Sequence, residues 1–302
     1  MTATKPASKG RTKASQERGW ANIMSRISKL TSERPDDQIA SLIAELRGIE
    51  LGRKAPGDFY LTRPLVEDFG RNIMAAYEEK LENPFLFPEV TNREYGIGNL
   101  DPIRYLQSRV KRETTCIVEL GSGWSANLFQ LYIALGRSRS SNLTYIGAEY
   151  TDQGRECARA IANFDDNIDY EDYEFDYRSP DISFLDRFEG HILVFTRHSI
   201  EQVDKIHHEL YQKLFELGPK VTLVHFEPVG WQRDPALLAA RREKNDAVFE
   251  YIGKGMSNSI ETEADQIRNA AWWSWRLDYN MNLESIVRRY LKEDKISLAY
   301  RA

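Results

Sequence analysis

The chain has 302 residues, with 41 Lys and Arg against 46 Asp and Glu and a formal net charge of −5. A hydrophobic content of 41% with 11% aromatics supports a sizeable core and excludes wholesale disorder, while the length allows one large domain or two ordinary ones. No run of about 18 apolar residues occurs, which predicts no membrane span, and the basic start MTATKPASKGRTKASQERGW lacks the apolar stretch of a secretory signal. Two cysteines, Cys116 and Cys157, are too few for a disulfide scaffold or a thiolate metal cluster. A soluble, cytoplasmic protein is expected.

The charge is uneven. Residues 1–19 hold five basic groups against Glu17, a net +4, leaving −9 for the rest. A flexible basic tail over 1–19 and an acidic body are expected, and an acidic body is a poor partner for nucleic acid or an anionic membrane. From about 20 to 113 the periodicity is helical. Ile39, Leu42, Ile43, Leu46 and Ile49 share one face, a second helix starts near Thr62 and runs past Leu81, and a third short one spans Asp101 to Val110. This region is predicted to form a helical cap.

At Thr114 the pattern changes, and 114–302 is predicted to form the core. TTCIVEL (114–120), LTYIGAEY (143–150), IDYEDYEFDY (168–177), HILVFT (191–196) and KVTLVHF (220–226) read as strands. Helical stretches separate them, including 151–163 and an amphipathic run from Val203 to Leu217. Such alternation indicates βαβ units, a doubly wound α/β fold with a mostly parallel sheet, and ligands at the carboxyl ends of its strands.

The first strand runs into a glycine turn, Gly121-Ser-Gly123-Trp-Ser125-Ala126, a literal match to G-x-G-x-x-A that brings a dinucleotide site into consideration. Glu119, two residues before the turn, would repel a pyrophosphate and suits a cationic or ammonium-bearing ligand. Glu149 closes the second strand, where a carboxylate can accept both hydroxyls of a ribose.

In these residues the chain resembles the class I S-adenosylmethionine-dependent methyltransferases, whose first motif is matched by Glu119-Leu-Gly121-Ser-Gly123. Ser125 stands where the family often has a third glycine. The resemblance covers about 114–230 and implies a Rossmann-like methyltransferase sheet with S-adenosylmethionine as cofactor. It implies Glu119 near the methionine ammonium and Gly121, Gly123 and Ser125 making room for the cofactor. Glu149 would meet the ribose, Tyr150 and Tyr177 would lie beside the adenine, Asp176 would meet its amino group, and Thr196 would close the cofactor set.

After the fourth strand, polar groups concentrate in Arg197-His-Ser-Ile-Glu-Gln202. His198 is the candidate base, histidine being the side chain suited to proton transfer near neutral pH, and Glu201 its orienting carboxylate. Ser199 and Gln202 also have the spacing of a capping box, which is the structural alternative. Arg197, Ser199, Gln202, Glu227 and Trp231 are candidate substrate contacts at the strand ends. No complete metal-ligand set is legible. The acidic run from Asp165 to Glu174 reads as a solvated edge or a funnel for a cationic substrate. Trp272, Trp273 and Trp275 read as core or interface, with stacking on a substrate as the alternative.

The expected function is methyl transfer to oxygen or nitrogen of a small-molecule or peptide acceptor, with no nucleic-acid or membrane partner and a homo-oligomer left open. An NAD(P)-dependent oxidoreductase and a non-catalytic adenosyl-ligand binding module are the alternatives.

Overall fold

The computed structural model describes residues 13–35, 39–40, 42–43, 45–46, 100–255 and 263–297. Five parallel strands form its centre: β1 (Thr114–Leu120), β2 (Thr144–Glu149), β3 (Asp169–Glu174), β4 (His191–Arg197) and β5 (Val221–Phe226). Their order is β3-β2-β1-β4-β5. The chain therefore leaves β1 first towards β3 and then towards β5, and the point of reversal lies between β1 and β4. In an open parallel sheet that point opens a crevice beyond the strands' carboxyl ends.

The helices of eight or more residues with described bounds are α1 (Lys13–Glu33), α2 (Leu100–Arg109), α3 (Ala126–Leu135), α4 (Asp152–Ala162), α5 (Glu209–Glu216), α6 (Pro235–Arg242), α7 (Asp246–Gly255), α8 (Glu263–Leu277) and α9 (Leu283–Lys292). Strand parity divides the core between the two faces of the sheet. Ile117, Tyr145, Leu193 and Phe195 bury against a layer that includes Ile23 and Ile27 of α1, Ile103 and Leu106 of α2, Leu128 and Phe129 of α3 and Ile161 of α4. Cys116, Val118, Ile146, Ala148, Ile192 and Val194 face the other way, towards Leu210, Tyr211 and Leu214 of α5 and Ile286 and Tyr290 of α9. A third cluster joins the helices after β5, with Trp231, Phe249 and Trp275 at its centre.

The sequence pattern and the structure differ in places. Helix α1 begins at Lys13, inside the stretch expected to be a flexible tail. Ile39, Leu42, Ile43 and Leu46 are helical and buried, as their shared face predicts. Ile49 and the helix expected from Thr62 lie outside the described residues. The helix expected over 203–217 is shorter, because other contacts hold its first turns. Asn282 takes the N–H of Ile206 at 3.0 Å and donates to its carbonyl at 2.9 Å, and the His207 N–H goes to Tyr177 O at 2.8 Å.

The acidic run on edge strand β3 is largely paired. Glu171 meets Arg187, Asp172 meets Arg155 and Arg159, and Asp169 accepts from Thr144. It forms a charged edge that discourages strand addition, not an open cationic funnel.

Candidate functional site

The glycine turn leaves β1 at the point of reversal. Gly121 has φ 69° and Gly123 φ 56°, both in the left-handed region that glycine reaches without penalty. Ser125 also sits there, at φ 59°, so the missing third glycine is a serine held in a glycine-like conformation. Its buried hydroxyl meets Tyr170 Oη of β3 at 3.0 Å. Space for that pair comes from Gly147 of β2, where any Cβ would overlap both hydroxyls.

The N–H groups of the turn point into the protein. Gly121 and Ser122 donate to Ala148 O at 2.7 and 3.2 Å, and Ser125 donates to Ser122 O at 2.8 Å. Gly123 donates to Glu149 Oε2 at 2.9 Å. The other Glu149 oxygen accepts from the N–H and hydroxyl of Thr151 at 3.0 and 2.7 Å, and Thr151 in turn caps α4 through the Gly154 N–H. Glu149 is thus the clasp between β2, the glycine turn and the start of α4. Glu119, 1% exposed, faces Gly147 across the sheet and accepts from Asn127 Nδ2 at 2.6 Å, while Arg197 reaches Asn127 Oδ1 at 3.4 Å. Ser122 Oγ and the side-chain amide of Gln130 are buried with no hydrogen-bond partner among the described residues.

Beyond β4 the chain turns sharply. His198 has φ 49°, costly for a non-glycine residue and held by its N–H on Phe226 O at 3.2 Å. Its ring is exposed, and Nδ1 lies 3.0 Å from Glu201 Oε1. The Ser199 hydroxyl does not cap this turn, as a capping box would require; it donates to Leu120 O and meets Tyr177 Oη. Glu227, from the end of β5, provides the cap instead. Its carboxylate takes the N–H groups of Ser199 at 3.2 Å, Ile200 at 3.3 Å and Glu201 at 3.2 Å. Burial and the neighbouring Glu201 charge raise the Glu227 pKa above the usual carboxylate range. Burial also raises the Tyr177 hydroxyl well above its ordinary value, followed by the charges of Glu227, Glu119 and Glu149, so three carboxylates act on one point beside the turn.

The structure brings Glu119, Gly121, Gly123, Ser125, Glu149, Tyr177, Ser199, Glu201, Glu227 and His198 to one edge of the sheet. Arg197 lies at the end of β4 on the Glu119 side, and Gln202 donates back to His198 O. Asp176 follows β3 and is engaged by the Arg178 N–H at 2.9 Å. Two further expected contacts are buried. Thr196 is fully buried, its hydroxyl 2.8 Å from His225 Nδ1. Trp231 is 1% exposed and packs in the helical core after β5. Among the tryptophans of α8, Trp275 stacks on Phe249, and Trp272 and Trp273 meet edge to face.

Residues with no local motif complete the edge. Trp20 of α1 lies against the turn, where a Cβ on Gly123 would come 3.0 Å from its ring. Lys13, at the start of α1, sits 4.9 Å over the Tyr150 ring and 3.8 Å from Glu174. Helix α1 thus covers the β2–β3 side of the edge. Gly154 lets α4 approach the turn, since a Cβ there would come 3.0 Å from Gly123 O. These contacts join segments 100 residues or more apart in α1's case, and nothing in the local pattern announces them.

No group of three or more His, Cys, Asp or Glu is arranged to hold a metal among the described residues, and no described helix is long and apolar enough to cross a membrane. No protein-family model and no curated protein matches the chain. A solved structure of coclaurine N-methyltransferase, bound to N-methylheliamine and SAH, aligns over 86% of this chain and 94% of its own at 12% identity, with a TM-score of 0.33. A superposition that loose carries no functional argument. The chain's own elements establish an α/β fold with a five-stranded parallel sheet, and its glycine turn and carboxylates gather at the carboxyl edge of that sheet.

Proposed function

We propose that this protein is an S-adenosylmethionine-dependent methyltransferase acting at oxygen or nitrogen of a small-molecule or peptide acceptor. The chemistry of the glycine turn carries the proposal: its N–H groups at 121, 122, 123 and 125 are spent inside the protein, and carboxylates surround it. A dinucleotide binds through such N–H groups to its pyrophosphate and would instead meet like charge here. A ligand with sulfonium and ammonium charges meets attraction.

The residues fit that donor. Glu119, oriented by Asn127, suits the ammonium, and Arg197 beyond Asn127 offers a cation to a carboxylate. Glu149 accepts three hydrogen bonds and keeps a lone-pair direction for a ribose hydroxyl. Ser122 Oγ adds a buried hydroxyl with no partner among the described residues, under the turn. Tyr150, Asp176 and Tyr177 border the adenine side.

When bound, the donor supplies a methyl group already activated on a positively charged sulfur. The protein's task is then to align the acceptor and strip its water. His198 stands exposed at this edge, with Glu201 accepting from Nδ1 and Nε2 left to take a proton from the acceptor. Gln202 and Ser199 supply polar contacts beside it.

Transfer of labelled methyl from S-adenosylmethionine to a panel of hydroxyl, amine and peptide acceptors tests the reading. Glu149→Gln, which keeps one acceptor oxygen for the turn, should weaken donor binding about tenfold, the value of losing one charge-assisted hydrogen bond. Donor binding without transfer to any acceptor would favour the binding module, and unchanged donor affinity would remove Glu149 from the site.

A further inference from the structure

Helix α1 brings to the glycine turn a polar atom that the fold itself does not satisfy. Trp20, Ile23, Met24 and Ile27 follow at helical spacing and pack in one core layer. The Trp20 carbonyl accepts from the Cys157 thiol of α4 at 3.4 Å, and its indole lies against Gly123. A Cβ on that glycine would come 3.0 Å from Cζ2 and 3.8 Å from Cε2, the ring carbon bonded to Nε1. The Nε1–H is buried, with no hydrogen-bond partner among the described residues.

An indole N–H can only donate, and leaving it buried and unpaired costs more than a hydrogen bond usually gains. Such a donor calls for an acceptor from outside the chain, and its neighbours indicate which one. Glu149 reaches the same glycine, accepting the Gly123 N–H at 2.9 Å. Thr151 at the start of α4 holds Glu149, and Cys157 of the same helix holds the Trp20 backbone, so α4 sets both groups against one residue of the turn. A carboxylate that accepts, beside an N–H that donates, matches a hydroxyl group. The hydroxyl gives its proton to the carboxylate and receives the N–H on its oxygen.

We infer that Trp20 is a ligand-binding residue, its Nε1–H pairing with the oxygen of the ribose hydroxyl that Glu149 takes as a donor. Helix α1 then contributes to ligand affinity as well as to the core, with Lys13 of the same helix over the Tyr150 ring on the adenine side. The unpaired N–H stands independently of the reaction; the identity of its partner rests on the methyl-transfer reading.

The test uses the full chain labelled at the indole nitrogens of its six tryptophans, and it reads binding without turnover. Trp20→Phe identifies the Trp20 signal by its loss. Two ligands are compared: the demethylated product of S-adenosylmethionine, and methylthioadenosine, which keeps the ribose and lacks the amino-acid end. Saturation with either should move the Trp20 N–H signal downfield and slow its exchange with solvent. Trp20→Phe, which keeps an aromatic ring without the N–H, should weaken both about fivefold, the scale of one uncharged hydrogen bond. An unmoved signal at saturation overturns the contact, as does a signal already downfield and protected in the free protein, which would mean a water or protein acceptor. Movement with the demethylated product alone assigns the N–H to the amino-acid end and overturns the ribose contact. Should Trp20→Phe not fold, a through-space contact with Gly123 identifies the signal in the wild type. A chain that binds neither ligand contradicts the donor reading and removes the partner with it; binding with an unmoved signal leaves that reading standing and overturns Trp20 alone.

Discussion

Gly123 shows how much a single position must satisfy here. Its N–H binds Glu149, its φ is left-handed and its Cα faces the Trp20 ring. An alanine there would incur backbone strain of about 1–2 kcal/mol and would also push its Cβ to 3.0 Å from the indole. Gly123→Ala should therefore destabilise the protein by about 2–3 kcal/mol, and by about 1–2 kcal/mol in a Trp20→Ala background where only the backbone strain is left. Chemical denaturation of the four proteins measures this, and an equal cost in both backgrounds would show that the ring does not press on the turn. Ser125 illustrates the opposite case. A non-glycine residue holds the left-handed conformation because its hydroxyl meets Tyr170 and Gly147 leaves room for both.

Among the elements, the five strands and the helices between them follow from local hydrophobic runs, and their ends place Glu119, Glu149 and His198 on one edge. The long-range contacts were not readable in the same way. Thr196 reads as a strand-end residue facing a ligand, yet it lies on the opposite strand face from Arg197 and bonds sideways to His225. Trp231 follows β5 closely enough to suggest a pocket, and residues of α6, α7 and α8 pack around it in a way no local pattern indicates. The extent of the helix after β4 is likewise set by Asn282, some 76 residues away. The β4–β5 pairing also makes a pH-dependent contribution to stability. Burial lowers the His225 pKa from 6.5 to about 4. The unfolded chain binds a proton at this ring as the pH falls through 6.5, whereas the folded chain resists until about 4. Folded-state stability is therefore lost across that window, by about 3 kcal/mol in full from this group. His191, also lowered by burial, acts in the same direction, and Glu227, with a raised pKa, in the opposite one. Denaturant midpoints between pH 7 and 4 should fall less steeply in His225→Gln than in the wild type; identical slopes would contradict a buried neutral imidazole.

For the whole molecule, the net charge of −5 is a balance between a basic N-terminal stretch and an acidic body. Part of that balance has a structural use. Helix α1 brings Lys13 to Asp152 and Glu174 and Trp20 to the glycine turn, so these two side chains cover part of the acidic sheet edge. Exposed ion pairs of this kind contribute little stability individually. Their larger effect is on what the edge can attract, since Glu119, Glu149, Glu201 and Glu227 remain concentrated around the point of reversal while the turn offers no N–H groups at 121, 122, 123 or 125 to an anion. Under the methyl-transfer proposal, that distribution would favour a cationic adenosyl donor over a dinucleotide. Thermal denaturation of the full chain with S-adenosylmethionine, its demethylated product or NAD measures the difference directly. The account predicts that the melting temperature rises with the first two and not with NAD; a rise with NAD alone would contradict it.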